Sequence, residues 1–83
     1  MARVAFVTGG TRGIGKAIVQ RLSEDGIRVA AGYSGNDEAA QATAKALNCM
    51  VVKGNVGSFE DCARAAKEIE DELGPIDILI NNA

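Results

Sequence analysis

Apolar residues in this chain come either in short unbroken runs or, between those runs, at every third or fourth position. Val4-Ala5-Phe6-Val7, Ile27-Arg28-Val29-Ala30-Ala31, Met50-Val51-Val52 and Ile76-Asp77-Ile78-Leu79-Ile80 are too short for helices and each reads as a buried strand. The runs predict strands over 3–8, 27–31, 50–53 and 76–80, with Gly32-Tyr33-Ser34-Gly35 as a loop. In the first intervening stretch Ile14, Ala17, Ile18, Arg21 and Leu22 lie at helical spacing. This helix runs to about Asp25, with Gly26 as its C-terminal cap. Asn36 can cap a second helix through Leu47, with Asp37 and Glu38 near its positive end and Ala40, Thr43, Ala44 and Leu47 turned inward. Ser58 opens a third, and Asp61 stands where a capping-box acid would. Its apolar face reads Phe59, Cys62, Ala63, Ala66, Ile69 and Leu73, and Gly74-Pro75 ends it.

The order is therefore βαβαβαβ. Strands alternating with helices imply an α/β fold with a parallel sheet covered on both faces. Right-handed crossovers give a doubly wound, Rossmann-like sheet with strand order 3-2-1-4. The chain then reverses direction between strands one and four. Ligands of such sheets bind in that crevice, at the carboxyl ends of the strands.

One stretch falls at the crevice by this topology: Thr8-Gly9-Gly10-Thr11-Arg12-Gly13-Ile14-Gly15, between the first strand and the first helix. Strand, glycine turn and helix in that order form the context of a dinucleotide-binding loop. Gly9 permits a sharp turn, Gly13 lets a pyrophosphate approach the backbone, and Gly15 permits close helix packing. The N–H groups at the helix start and the helix dipole would face the phosphates. The spacing is Gly-x-x-x-Gly-x-Gly, and no Gly-Lys-Ser/Thr follows, so it is not a P-loop. A glycine-rich turn without a ligand is the bland alternative.

The cofactor-binding candidates are Gly9, Thr11, Arg12, Gly13, Ile14 and Gly15 in the loop, then Gly32 and Ser34 after strand two. Asn55 and Val56 follow strand three, and Asn81, Asn82 and Ala83 follow strand four. The end of strand two, Ala30-Ala31-Gly32-Tyr33-Ser34, carries no acid of the kind that grips the ribose 2′-hydroxyl of NAD. With that negative charge absent, and with Arg12 offering a fork suited to phosphate, the expected cofactor is NADPH. Arg12 as a solvated cation is the competing reading, and Tyr33 reads as ordinary loop packing. Asn55 offers a donor and an acceptor to an adenine edge, or merely ends its strand beside Gly54. The amides of Asn81 and Asn82 can tie neighbouring strand ends together and line the crevice.

Composition narrows this picture without redirecting it. The chain has 83 residues, enough for one domain, and is 47% hydrophobic and 24% charged. A net charge of −2, no basic run and 4% aromatics exclude a nucleic-acid partner, and no apolar stretch is long enough to span a membrane. No signal-peptide pattern opens the chain, so a cytoplasmic location is expected. With no histidine, Cys49 and Cys62 make no metal site; the count alone allows a disulfide, and both are expected to be reduced thiols in the core. The acids from Glu68 to Glu72 read as a solvated helix face.

Thr8-Gly9-x-x-x-Gly13-x-Gly15 together with Asn81-Asn82-Ala83 resembles the short-chain dehydrogenase/reductases, over all 83 residues in motif order and spacing. Residues 1–15, Gly35 to Ala40 and Gly54-Asn55-Val56 are most similar to the bacterial acetoacetyl-CoA reductases, with the 3-oxoacyl-carrier-protein reductases next. Many relatives carry Asp-Val after strand three, and Asn55-Val56 departs from that toward this subgroup. The resemblance implies transfer of the pro-S hydride of NADPH to a 3-ketoacyl thioester, feeding polyhydroxybutyrate synthesis, in a homo-oligomer, commonly a tetramer. Members of the family also carry a Ser, a Tyr-x-x-x-Lys pair and a further Asn beyond the Asn-Asn-Ala-Gly stretch. Here Tyr33 is the one tyrosine, and Asp37, not lysine, stands four residues on. No catalytic residue is therefore assigned. Residues 1–83 are expected to be the N-terminal dinucleotide-binding half of such a reductase, inactive alone. A stand-alone nucleotide-binding module and a non-binding structural domain are the other readings. Strand four, left as an apolar edge, is expected to promote self-association.

Overall fold

The apolar runs become parallel strands and the periodic stretches become helices in a computed structural model, which describes residues 3–11, 13–55 and 57–82. In chain order these are β1 (Val4–Thr8), α1 (Gly13–Glu24), β2 (Arg28–Tyr33), α2 (Asp37–Leu47), β3 (Met50–Lys53), α3 (Phe59–Leu73) and β4 (Ile78–Asn81). The sheet order is β3-β2-β1-β4, with every neighbouring pair parallel. The switch of winding falls between β1 and β4, where the alternation of elements placed it.

Side chains of successive strand residues point to opposite faces, and each face has its own core. Val4, Ala30 and Val52 pack with Ala65 and Ile69 of α3. Val7, Val29 and Ala31 pack with Val19 of α1, and Leu47 of α2 packs against the same cluster. The caps are local. Asn36 accepts a bond from the Ala39 N–H at 2.9 Å, Ser58 accepts one from the Asp61 N–H at 3.3 Å, and Gly26 and Gly74 take positive φ at helix ends. Among the described residues no helix is long and apolar enough to cross a membrane, and no group of three or more His, Cys, Asp or Glu is placed to hold a metal ion.

Several expected details are corrected. β2 continues through Gly32 and Tyr33, which pair with Val52 and Lys53 and do not form a loop. Gly32 can lie in the strand because it makes room for a ring: a Cβ there would stand 2.9 Å from Phe6 Cε1. β4 starts at Ile78, because Asp77 precedes the ladder and instead clasps Val4. Its N–H donates to the Val4 carbonyl at 2.9 Å, and its carboxylate accepts from the Val4 N–H at 3.0 Å. On α1 Gly15 and Val19 are buried, Val19 against the sheet, while Ile14 is 75% exposed and Ala17 and Arg21 are exposed.

The rotation of α3 differs most. The buried positions are Ala65 and Ile69, whereas Phe59 is 86% exposed and Cys62 and Ala63 are exposed. Two polar anchors turn the helix. The Asp61 carboxylate accepts from the Asn55 N–H at 2.9 Å, and the Arg64 guanidinium donates to the Lys53 carbonyl at 2.7 Å. The capping box is accordingly half made, since Asp61 reaches back to Asn55 and not to the Ser58 N–H. Cys62 is thus no core thiol. Cys49 is half-buried, and that burial raises its thiol above the ordinary range.

The rotation makes a prediction. Ile69→Ala empties a fully buried site and is expected to cost about 2–5 kcal/mol in urea unfolding, whereas Phe59→Ala stays within about 0.5 kcal/mol of the parent. Equal losses at both positions would show that the face was misassigned.

Candidate functional site

At the carboxyl ends of the strands, the chain leaves β1 through residues that cannot carry side chains for three separate reasons. Gly9 has φ of +64° and Gly13 +62°, the left-handed region that L side chains disfavour. Gly10 lies against the sheet, where a Cβ would meet Ala31 Cβ at 2.9 Å, Val19 Cγ2 at 3.0 Å and the Val7 carbonyl at 3.0 Å. Gly15, on the first turn of α1, would drive a Cβ into the Gly9 carbonyl and to 2.6 Å from Asn82 Nδ2. The close helix-to-sheet approach that sequence reasoning gave to Gly15 is thus shared. Gly10 packs on the sheet, and Gly15 packs on the loop itself. Gly10 was missed because the motif spacing does not include it.

Hydrogen bonds hold this loop to its neighbours. The Gly10 N–H donates to the Gly32 carbonyl at 3.1 Å, and Asn82 Nδ2 donates to the Gly9 carbonyl at 3.3 Å. Thr8 Oγ1 accepts from the Asn82 N–H at 2.9 Å and donates toward the Ile80 carbonyl at 3.4 Å and Asn81 Oδ1 at 3.3 Å. β1 and β4 are therefore joined at the switch point by side chains as well as by the ladder. Asn81 and Asn82 do the tying expected of them, and of the two Asn82 also borders the groove.

Two hollows meet at this rim. An open groove of about 680 Å³ is bordered by Gly9, Thr11, Gly13, Tyr33, Ser34, Gly35, Asn36 and Asn82. Gly13 faces open space, with nothing within 4 Å of a Cβ placed there among the described residues. The groove runs past the N-terminus of α1, whose first turn has no acid, whereas α2 and α3 open with Asp37-Glu38 and Glu60-Asp61. The positive end of α1 is thus left uncompensated by its own side chains, as an anion site requires. A smaller cavity of about 100 Å³ lies under α3, lined largely by Phe6, Gly32, Tyr33, Val52, Cys62 and Ala65, with Ser34 and Asn55 at its edge. Its lining is mostly apolar, as one face of an aromatic ring system would require.

The structure thus gathers Gly9, Thr11, Gly13, Gly32, Ser34, Asn55 and Asn82 around two adjoining hollows. Ile14 projects outward from α1, and Gly15 is buried behind the loop. Arg12, Val56 and Ala83 lie outside the described residues. Asn55 is more restricted than its sequence suggests. Its Oδ1 accepts from the Gly57 N–H at 2.8 Å, which fixes the amide and leaves its N–H groups and one oxygen lone pair for a ligand. Tyr33 is not loop packing: it ends β2 and borders both hollows. Burial, a hydrogen bond to Asp37 and that carboxylate's charge raise its hydroxyl above the usual range, with Lys53 opposing them. Phe6 and Val52 read only as buried strand residues, and Ala65 falls outside the apolar face that spacing assigns to α3, because apolar periodicity does not distinguish a core residue from a cavity wall.

Gly15→Ala is expected to displace the loop and to lower thermal stability by several degrees, about 1–3 kcal/mol. Gly35→Ala, where a Cβ meets nothing within 4 Å, should leave the melting midpoint unchanged. A Gly15→Ala protein that melts with the parent would contradict the packing described.

The sequence model of the family described as short chain dehydrogenase matches residues 3–83. An acetoacetyl-CoA reductase of Paracoccus denitrificans is 51% identical over 83 residues, covering 100% of this chain and 34% of that protein. A 3-oxoacyl-[acyl-carrier-protein] reductase of Staphylococcus aureus is 36% identical over 88 residues, covering 100% of this chain and 36% of that protein. Among solved structures, a variant of actinorhodin polyketide ketoreductase with NADPH superposes with a TM-score of 0.93 at 33% identity, over 99% of this chain and 33% of that one. The chain spans about a third of the length of these relatives. With the glycine loop, the 3-2-1-4 sheet and the paired asparagines in place, the chain belongs to the short-chain dehydrogenase family of oxidoreductases.

Proposed function

We propose that this segment is the NADPH-binding part of a reductase that converts a 3-ketoacyl thioester, acetoacetyl-CoA foremost, to the 3-hydroxyacyl thioester. The observation that carries the cofactor reading is the groove beside α1. Its border at the end of β2 is Tyr33, Ser34, Gly35 and Asn36, without a carboxylate. The dinucleotide fits what the structure provides. Gly13 leaves backbone exposed where a pyrophosphate would approach, and the α1 N-terminus supplies donors and positive potential. Ser34 offers a hydroxyl at the ribose end, and the loop sequence carries a guanidinium in Arg12, which lies outside the described residues. The cavity under α3 is suited to the adenine. There Asn55, its amide oriented by the Gly57 N–H, can donate to a ring nitrogen through its N–H groups.

When bound, NADPH supplies the hydride. The residues of this chain bind and orient it, but they do not hold the proton that a carbonyl oxygen takes up on reduction. Tyr33 is the one tyrosine, its neighbour four residues on is Asp37, and its hydroxyl is shifted up, the opposite of an activated acid. Similarity to acetoacetyl-CoA reductase supports the substrate. A carrier-protein thioester is the alternative, supported by the 3-oxoacyl-carrier-protein reductases among the relatives. The same reading takes the whole protein as a cytoplasmic homo-oligomer in polyhydroxybutyrate synthesis, with no nucleic-acid or membrane partner.

Fluorescence titration is expected to give an NADPH affinity at least about tenfold tighter than that for NADH. Equal or tighter NADH binding would overturn the choice of cofactor. With NADPH and acetoacetyl-CoA together, the 83 residues alone are expected to give no steady loss of absorbance at the reduced-nicotinamide band. Turnover dependent on this chain would overturn the division of labour.

A further inference from the structure

We infer that Thr43 is a positioning residue for the phosphate-facing loop, an inference that rests on the cofactor reading above. Thr43 lies mid-way along α2 and is 1% exposed, among the largest fully buried side chains of the fold. A helical threonine ordinarily turns its hydroxyl back to the carbonyl one turn earlier. Thr43 instead donates to the Thr11 carbonyl at 3.2 Å, across 32 residues of sequence and inside the core. Thr11 is itself 7% exposed and borders the groove.

This bond completes a set of three. Gly9 O is held by Asn82 from the end of β4, Gly10 N by Gly32 from β2, and Thr11 O by Thr43 from α2. Three consecutive residues are thus fixed by three different elements. Both carbonyl oxygens in the set are drawn off by donors. A carbonyl turned into the groove would place a partial negative charge where phosphate is to sit. A Thr11 carbonyl left without its donor would be a buried, unpaired acceptor, and the loop would move to pair it. A hydrophobic residue would serve the α2 core equally well at this position. The hydroxyl is explained by the loop.

Thr43→Val keeps the shape and removes the donor, and Thr43→Ser keeps the donor. In the full chain, the affinities for NADPH and for adenosine, which has no phosphate, separate loop from pocket. Thr43→Val is expected to weaken NADPH about tenfold, to leave adenosine within about twofold, and to be reversed in Thr43→Ser. Parental NADPH affinity in Thr43→Val, equal loss of both ligands, or failure of Thr43→Ser to restore binding would each overturn the inference. A parent chain that binds no NADPH overturns the cofactor reading and this inference with it. A parent that binds it no better than Thr43→Val overturns this inference alone.

Discussion

The contact between the Thr8 hydroxyl and the backbone after β4 closes the sheet at its switch point. It accepts the Asn82 N–H at 2.9 Å and donates to the β4 end in return. At that place the β1–β4 ladder reaches its last pair, Thr8 and Asn81, and the side-chain bonds of Thr8 reinforce it. With Thr8 there, the β4 end stays beside β1, and Asn82 reaches the Gly9 carbonyl. The glycine loop then has a wall on one side. The β2 end gives it the other, through Gly10 N and Gly32 O.

The loop between those walls answers to steric limits before chemical ones. Gly15 sits so close to the Gly9 carbonyl that a methyl group does not fit, and Gly10 is enclosed by Ala31, Val19 and the Val7 carbonyl. These approaches bring the first turn of α1 onto the crevice with its N–H groups uncovered. The same closeness sets the rotation of α1, turning Val19 inward and Ile14 outward to solvent. Fold and proposed anion site are thus one arrangement. The packing that stabilises the first βαβ unit also aims the helix dipole.

Much of this was legible in the residues. The βαβαβαβ order, the strand order and the gathering of Gly9, Gly13, Gly32, Asn55 and Asn82 at one rim follow from hydrophobic runs, glycine punctuation and right-handed crossovers. The misreadings share a cause: backbone pairing and polar contacts that follow neither the helix nor the strand period override the apolar pattern. Phe59 belongs to the apolar stripe of α3 by spacing, yet Asp61 and Arg64 bind the turn after β3 and rotate the stripe outward. Gly32 and Tyr33 look like a loop, yet β3 draws them into the sheet. Asn55 turns its amide oxygen back to the Gly57 N–H, which fixes the side chain that the sequence leaves free to rotate. None of these partners is adjacent in sequence in a way that periodicity reports.

The central claim, that the β1–β4 switch point of this chain is a dinucleotide-phosphate site, is tested most directly by following backbone amide resonances during titration with NADPH. The account predicts progressive shifts at Gly9, Thr11, Gly13, Gly15, Ser34 and Asn82, with Val4, Arg28 and Asp77 at the opposite end of the sheet unmoved. Shifts confined to that opposite end, or a loop that does not respond at saturating NADPH, would contradict it.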